Sequence, residues 1–438
     1  MTQTRSRLKQ VAAGNSESIM QRMHRPDYQI VLFVGLLMLI GLVMMYAIGP
    51  QRANVLNRVH NTDFYTNTYF VLKQAFSIGL GVIAFFAMSK IPFALLRRHA
   101  LTMIYVGFGL SALLFIGGNL LKIDAIAVST LGAYRWFNLG PLGTFQPAEV
   151  LKFALLIFIA SFLGVKHREG KLNDLHETIY PAVGMTGLAL FFVVILQKDM
   201  GTGLSIAGTV FAMLIVSGIS WKILSRILLV GIVGVILLTV FVPHRRERLI
   251  TFFDGDNHSS TEASNDENYH IKNAMIALGT GGMFGLGVGN SVQATGYLPE
   301  AVNDSVFAII GETFGYIGAM VLVLMFFALL FRVLRTSEHL VDMPMRLVAA
   351  GVFGWLGTHV ILNIASMIGL IPLTGITLPL LSAGGTSIVF IAGALGLVFQ
   401  LSKFTSQNPV QIKEGPGEST MRRRGIGGSR NPGRRRYQ

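Results

Sequence analysis

Ten long apolar runs constrain this chain more than any other feature of its sequence. A run of about 20 apolar residues spans the hydrocarbon core of a bilayer as a helix. In lipid every backbone polar group must find its partner within the spanning structure, and unbroken runs do not fit the alternating strands of a membrane barrel. The sequence therefore predicts an all-α, polytopic bundle of about ten transmembrane helices. The predicted spans are Ile30–Ile48, Tyr69–Met88, Ala100–Gly118, Pro147–Val165, Ile179–Leu196, Gly201–Ile219, Ile223–Val242, Val306–Phe331, Leu347–Leu370 and Thr386–Leu401.

The charged fraction agrees with a chain that lies mostly in lipid. Only 13% of the 438 residues are charged, whereas soluble domains carry roughly 25%. The sequence contains no cysteine. Disulfides, thiol catalysis and Cys-ligated metal sites are therefore excluded.

Lysine and arginine fall in alternate loops, and cytoplasmic loops carry the excess of these residues. Both basic ends of the chain fall on the same side, so we expect both termini in the cytoplasm. The basic loop residues on that side are Lys90, Arg97, Arg98, Lys166, Arg168, Lys171, Lys222, Arg226, Arg332 and Arg335.

This topology divides the chain into three segments. They are a cytoplasmic tail at 1–27, a transmembrane domain at 28–403 with a large external loop at 243–304, and an Arg-rich cytoplasmic tail at 404–438. We expect the first span to act as an uncleaved signal anchor. The Arg-rich tail is expected to contact anionic membrane lipid rather than nucleic acid.

The external loop carries two glycine-rich stretches, Gly279–Gly282 and Gly285–Gly289. Glycine-rich loops can cradle phosphate, but no strand–turn–helix context accompanies these, so they do not predict a nucleotide site. The apolar stretch Ile271–Val288 is interrupted by glycine and predicts an interfacial or re-entrant helix rather than a full span.

Ionisable residues within or beside the spans fall at one depth. Such residues are costly in lipid and usually functional. The topology places all of them in the outer leaflet, which predicts a polar cavity suited to a lipid-linked substrate, since transporters place their sites near the midplane. The alternative for Glu149 and Lys152 is a simple ion pair between residues three apart on one helix. The group consists of Lys73, Glu149, Lys152, Asp199, Asp304 and Glu312.

Arginines add positive charge to the same side. Arg135 precedes Trp136, and Arg245, Arg246 and Arg248 directly follow the seventh span. Arginine binds phosphate oxygens in a bidentate fork. These arginines are therefore expected to bind either a phosphate of the substrate or the phosphates of membrane lipid.

Four further stretches lead to a family resemblance. The chain resembles the SEDS family (shape, elongation, division and sporulation proteins: FtsW, RodA and SpoVE) between Asp27 and Lys403. The matching stretches are Tyr134–Gly140 with Gln146–Lys152 (similar to RRWI…QPSE..K), Gln197–Thr202 (QPDLGT), Tyr297–Asp304 (YLPEAHTD) continued by Ile310–Glu312, and Leu373–Pro379 with Ser382–Ser387 (TG..LP..SYGGSS).

The chain departs from this pattern at several positions. Val302 and Asn303 replace His-Thr, and Ser305 replaces a Phe. Lys198 replaces a Pro, and Ala383 replaces a Tyr. Substrate contacts near these positions are expected to differ. Within the family, the stretch Gly289–Gln293 and the arginines after the seventh span are more similar to FtsW than to RodA.

The resemblance implies a peptidoglycan glycosyltransferase that polymerises lipid II at the outer face of the bacterial cytoplasmic membrane. It implies Asp304 as the catalytic base. It implies substrate contacts at Lys73, Arg135, Glu149, Lys152, Asp199, Arg245, Arg246, Arg248, Glu300, Glu312, Ser382, Gly384 and Gly385. The sequence establishes no cofactor and no metal ligands, although a divalent cation (Mg²⁺ or Mn²⁺) could bridge the pyrophosphate oxygens.

The implied partners are lipid II, a class B penicillin-binding protein with transpeptidase activity, other divisome membrane proteins and membrane lipid, with a role at the division septum. Two other readings stay open from the residues alone: a lipid II flippase, and a scaffold that recruits a partner. A RodA-like role in elongation is the alternative within the family.

Overall fold

A computed structural model describes most of the chain between Arg25 and Ser406. Within the described part, ten helices are long and apolar enough to cross a membrane, which confirms the ten predicted spans. The tails at 1–24 and 407–438 lie outside the described residues. The described residues are 25–123, 127–130, 133–140, 143–241, 246, 249, 252, 262–383 and 385–406.

Twelve α-helices make up most of the described structure. Three π-helical turns extend two of them, at Ile116–Leu120, Leu175–Ile179 and Phe191–Leu196. The helices are α1 (Tyr28–His60), α2 (Tyr69–Met88), α3 (Phe93–Arg98), α4 (Ala100–Phe115), α5 (Pro147–Arg168), α6 (Tyr180–Leu190), α7 (Met200–Ser217), α8 (Trp221–Phe241), α9 (Glu262–Thr280), α10 (Val306–His339), α11 (Met343–Met367) and α12 (Thr386–Leu401).

Helices α5, α11 and α12 form the centre of the bundle. In the most apolar 18-residue stretch of each of these helices, about 78%, 72% and 67% of the residues are buried inside the protein. The corresponding share for α8 is 6%. Small residues let the central backbones approach closely, as is usual between membrane helices. A Cβ on Gly354 of α11 would lie 2.6 Å from the backbone oxygen of Gly208 on α7, so only glycine fits there.

A small antiparallel sheet, which the sequence did not predict, connects α4 to α5. Its strands are β1 (Ala127–Thr130), β2 (Ala133–Asn138) and β3 (Thr144–Phe145), in the order β1-β2-β3. A close contact fixes its place: a Cβ on Gly118 would lie 2.6 Å from the Tyr134 ring. The sheet carries Arg135 on β2 and leads directly into α5.

Helix α10 is broken at Gly315, whose φ of 68° and ψ of −169° are not helical. The glycine-rich segment after α9 lies against this break. The Tyr316 amide donates to the Gly282 carbonyl at 2.8 Å, and the Ile317 amide donates to the Met283 carbonyl at 3.2 Å. Both amides would otherwise donate within α10.

The same segment also satisfies the carbonyls on the other side of the break. The Leu286 amide donates to the Glu312 carbonyl at 2.9 Å, and the Gly287 amide donates to the Thr313 carbonyl at 3.0 Å. Four hydrogen bonds between the segment and α10, two in each direction, thus replace those that the helix loses. The predicted interfacial or re-entrant element is a helix, α9, followed by a loop inserted into α10.

The two ends of the described chain lie together at the end of the bundle remote from Asp304. Arg332 forms an ion pair with Asp27 at 2.6 Å, and the Asp27 amide donates to Ser402 Oγ at 2.9 Å. A cavity of about 470 Å³ opens there, lined in part by Arg25 and Arg335. It contains none of the predicted site residues.

Candidate active site

The connection between α11 and α12, residues 368–385, lies where several helices meet, and we call it the closing loop. Gln74 of α2 donates from Nε2 to the Leu381 carbonyl at 3.1 Å. The Ala383 amide donates to the Val302 carbonyl at 2.9 Å, which joins the loop to the segment before α10. The closing loop therefore connects the start of α2 with the segment that contains Asp304.

Asn363 of α11 holds the backbone at Asp304. Its Nδ2 donates at 2.7 Å to the Asp304 carbonyl and at 2.7 Å to the Ile376 carbonyl of the closing loop. Both amide hydrogens are thus used on carbonyls. One buried side chain fixes the candidate base relative to the closing loop.

Asp304 as a whole residue is half-buried. Its Oδ1 lies 3.4 Å from Ser305 Oγ. Burial, and secondly the charge of Glu300, raise the pKa of Asp304 to about 7. Glu300 has a φ of +48° and accepts a hydrogen bond from Asn303. A carboxyl with a pKa near neutrality can take up a proton and release it at physiological pH.

The helix cap at this point is Ser305 rather than Asp304. The sequence allowed the reading that Asp304 serves as the N-cap of α10, since aspartate favours that position. In the structure Asp304 precedes the cap by one residue. Its position is therefore not explained by capping.

Lys152 and Glu149 form a buried ion pair of 2.9 Å on α5, with 0% and 3% of their side chains exposed. Lys152 Nζ also lies 3.5 Å from His359 Nε2 and 4.4 Å from the centre of the Trp355 ring. His359 Nδ1 lies 3.4 Å from the Thr377 carbonyl. The pairing that the sequence left open is present, and it is closed to solvent.

Two polar residues of α11 join this cluster to Asp304. His359 and Asn363 are four residues apart and therefore share one face of the helix. They contact successive carbonyls of the closing loop, those of Thr377 and Ile376. The polar groups around Lys152 and Asp304 are thus parts of one connected arrangement.

Asp199 forms the corner between the π-helical turn after α6 and α7. It caps α7 by accepting from the Thr202 amide at 3.0 Å and from Thr202 Oγ1 at 2.8 Å. Gln146 Nε2 donates at 3.0 Å to Asp199 Oδ2, the oxygen that also accepts from Thr202 Oγ1. Beside it, Arg135 Nη2 donates to the Lys198 carbonyl at 2.8 Å. Arg135 is thereby brought from the sheet to this corner.

Glu312 is buried in α10 and binds the segment that follows the glycine-rich loop. Its Oε1 accepts from the amides of Val292 at 3.0 Å and Gln293 at 3.2 Å. Its Oε2 accepts from Ser291 Oγ at 2.5 Å. Within the described structure, the Glu312 carboxylate is occupied by protein donors and fixes the position of this segment.

The remaining predicted contacts differ in their placement. Lys73 is exposed on α2 and forms no ion pair with any described residue, and Arg246 is also exposed. Ser382 is buried, and its Oγ accepts from the Leu378 amide at 2.9 Å. Gly385 precedes α12 with a φ of +41°. Arg245, Arg248 and Gly384 lie outside the described residues, and their roles stay predictions.

Three residues of this arrangement were missed by the sequence analysis: Gln146, His359 and Asn363. They are neutral polar side chains, whereas the sequence argument counted charged residues within apolar runs. A signal for two of them was present, since His359 and Asn363 are polar residues at helical spacing in an apolar span.

The family described as cell cycle protein (FtsW/RodA/SpoVE) matches residues 28–407. The chain belongs to the FtsW/RodA/SpoVE family. The match covers all ten spans, so the FtsW/RodA/SpoVE assignment applies to the whole bundle.

Two relatives in the FtsW/RodA/SpoVE family match over most of their length. Stage V sporulation protein E of Bacillus subtilis is 30% identical over 380 residues, covering 87% of this chain and 98% of that protein. The probable peptidoglycan glycosyltransferase FtsW of Polynucleobacter necessarius is 32% identical over 403 residues, covering 89% of each.

Solved structures share the fold. A chain from a peptidoglycan synthase complex, studied for the coordination of polymerization and crosslinking, matches with a TM-score of 0.66 at 24% identity, covering 87% of this chain and 99% of that one. The rod shape determining protein RodA of Thermus thermophilus matches with a TM-score of 0.61 at 24% identity, covering 87% and 98%. The FtsW/RodA/SpoVE bundle is therefore the fold of this multi-pass membrane protein.

Proposed function

We propose that this protein is a peptidoglycan glycosyltransferase that polymerises lipid II, with Asp304 as its general base. The observation that carries the proposal is the environment of Asp304: its backbone is fixed by Asn363, the residue is half-buried, and its pKa is raised to about 7. The names of the FtsW relatives support the reaction class.

The proposed reaction joins two lipid-linked saccharides. The GlcNAc 4-hydroxyl of an incoming lipid II attacks the MurNAc anomeric carbon of the growing strand with inversion. Asp304 accepts the hydroxyl proton as the new C–O bond forms. The bond from the anomeric carbon to undecaprenyl pyrophosphate breaks, and the leaving group takes the electron pair. Such base catalysis typically contributes about 10²–10⁴-fold to the rate.

The pyrophosphate leaving group needs positive charge beside it. Arg135 lies half-buried at the Asp199 corner, where its Nη2 donates to the Lys198 carbonyl. Lys152 is enclosed by Glu149, His359 and Trp355, so contact with a phosphate would require that enclosure to open. Arg135 is therefore the better-placed cation of the two.

A divalent cation remains a proposal without a protein ligand set. No group of three His, Asp or Glu side chains able to hold a metal occurs in the described part of the chain. Mg²⁺ or Mn²⁺ would take its ligands mainly from the pyrophosphate oxygens and water. No step of the mechanism above depends on it.

We place the reaction at the outer face of the bacterial cytoplasmic membrane, at the division septum, with both termini in the cytoplasm. The likeness to a chain of a peptidoglycan synthase complex supports a transpeptidase partner of the penicillin-binding type. Other divisome proteins and membrane lipid complete the proposed surroundings.

The test uses purified full-length protein in detergent with labelled lipid II, with and without the transpeptidase partner. Wild-type protein should form glycan strands, Asp304→Asn should not, and Asp63→Asn, an exposed acidic residue in the connection between α1 and α2, should match wild type. A wild-type protein that makes no strands but moves lipid II across vesicles would identify a flippase instead.

A further inference from the structure

His270 of α9 connects this helix to the residue that follows Asp304. The imidazole is buried, and its Nε2 lies 2.6 Å from Ser305 Oγ. Ser305 is fully buried, and its Oγ lies 2.9 Å from the Pro299 carbonyl and 3.4 Å from Asp304 Oδ1. A single hydroxyl thus lies between the imidazole and the candidate base.

Ser305 does not do what a serine at its position normally does. It occupies the N-cap position of α10, where a serine side chain usually accepts from an amide of the first turn. It makes no such bond. Its hydroxyl is directed to His270, Pro299 and Asp304 instead, at the expense of capping the helix.

The hydroxyl has one hydrogen to donate. When His270 donates from Nε2, Ser305 keeps that hydrogen for its two acceptors, the Pro299 carbonyl at 2.9 Å and Asp304 Oδ1 at 3.4 Å. When His270 accepts, the hydrogen is directed away from Asp304. The donor state of the imidazole therefore determines whether the hydroxyl hydrogen is used on His270 or is available to Pro299 and Asp304.

We propose that His270 is a positioning residue of the glycosyl-transfer site, which acts through Ser305 to orient the Asp304 carboxylate. The inference rests on the proposed function, because it assigns a role in the same reaction. Ser305 holds Oδ1, and Oδ2 is left to face the acceptor hydroxyl. Among the described residues, the titratable groups that contact one another or Ser305 at this point are His270 on α9, and Glu300 and Asp304 before α10.

Loss of this arrangement should affect the chemical step more than binding. A hydrogen bond to a carboxylate favours its ionised form. Without it, the base should ionise at higher pH, and its less defined orientation should slow the reaction. We expect kcat to fall between about 10- and 100-fold with KM within about threefold, since misplacement of a reacting group has effects of this size.

The experiment compares His270→Phe, Ser305→Ala and the double variant, using full-length protein and labelled lipid II across a pH series. Because His270 acts through Ser305, the double variant should be no slower than the slower single variant. The pH–rate curve of each should move to higher pH. His270→Gln, which retains an N–H donor, should recover most of the rate. Asn273→Ala is the matched control, because Asn273 is buried one turn away and donates to the Tyr269 carbonyl of its own helix.

The inference would be overturned if His270→Phe had the kcat and the pH profile of the wild-type protein. In that case the proposed function would still hold, because the wild-type protein would still synthesise strands. Multiplicative losses in the double variant would also overturn it, since they would show independent roles. If His270→Phe fails to fold, Ser305→Ala alone decides through its pH profile. Absence of strand synthesis in wild-type protein refutes the proposed function instead.

Discussion

The Asn363 side chain lies 2.7 Å from the Asp304 carbonyl, which makes a residue near the C-terminal end of α11 the support of the candidate base. Replacement by alanine should leave this carbonyl and that of Ile376 without their donor. A buried group that loses its partner costs about 1–3 kcal/mol. We expect Asn363→Ala to lower both the unfolding temperature and the rate of strand synthesis. Ser366→Ala, which removes a bond within α11, should keep the synthesis rate, and a loss equal to that of Asn363→Ala would contradict the specific role.

The raised pKa of Asp304 predicts a pH dependence of activity. A general base must be ionised, so strand synthesis should rise with pH and reach half its maximum near pH 7. The measurement is the initial rate from pH 5 to pH 9 at saturating lipid II. A rate that is flat between pH 6 and pH 8 would argue against Asp304 as the base.

The same pKa shift predicts a pH dependence of stability. The folded state holds the proton of Asp304 more tightly than the unfolded chain, so the stabilisation is complete below the usual pKa and is lost as pH rises through about 7. Asparagine does not titrate. The unfolding temperature of Asp304→Asn relative to wild type should therefore increase from pH 5 to pH 8. A constant difference across this range would show that the carboxyl is not perturbed.

The Lys152–Glu149 pair predicts a large loss of stability when one partner is removed. Lys152→Met leaves a buried carboxylate without its cation, which costs about 3–5 kcal/mol. Thermal unfolding in detergent should detect this change. Lys171→Met is the control, because Lys171 pairs with Glu177 at 2.7 Å on the surface, and its effect should be much smaller. Equal effects of the two variants would mean that the buried pair contributes no more than the exposed one.

The break in α10 predicts that Gly315 cannot be replaced. An alanine Cβ would lie 2.4 Å from the Gly285 amide nitrogen, and the φ of 68° is unfavourable for any other residue. The backbone conformation alone should cost about 1–3 kcal/mol. Gly279→Ala, at a helical position with open space around it, should stabilise the protein slightly. A Gly315→Ala protein as stable as wild type would show that the inserted loop is not held as described.

The proposed orientation can be tested with single cysteines, because the chain contains none. Thr62 and Ser220 are both exposed, in connections at opposite ends of the bundle. In intact spheroplasts, Thr62→Cys should react with an impermeant maleimide, and Ser220→Cys should react only after permeabilisation. The reverse result would place Asp304 on the cytoplasmic face and refute an external reaction.

The spans were predictable because hydropathy records which residues meet lipid. It does not record where a helix ends. The first predicted span stops at Ile48, but α1 continues through Pro50 to His60 along a polar stretch. Likewise α10 runs eight residues beyond Phe331, to His339. Helical hydrogen bonding continues in such segments although their side chains are too polar for a membrane signal.

The charged residues of the site were predictable from their depth in the membrane, and its uncharged polar residues and backbone contacts were not. Lys152 and Glu149 stand out in an apolar run, whereas Asn363 and His270 carry no charge signal. The strands of the sheet have only two to six residues, too few for a periodic pattern to be recognised. The inserted loop and the closing loop bind through backbone groups, which leave no trace in the order of side chains.

The closing loop is held through its peptide groups: Gln74, His359 and Asn363 contact the carbonyls of Leu381, Thr377 and Ile376. Amino-acid substitution does not change a peptide carbonyl. Side chains along this loop can therefore change during evolution while the loop keeps its backbone conformation. The three residues that contact its carbonyls cannot change in the same way, because their side chains make the contacts. New substrate preferences can arise here without rebuilding the bundle.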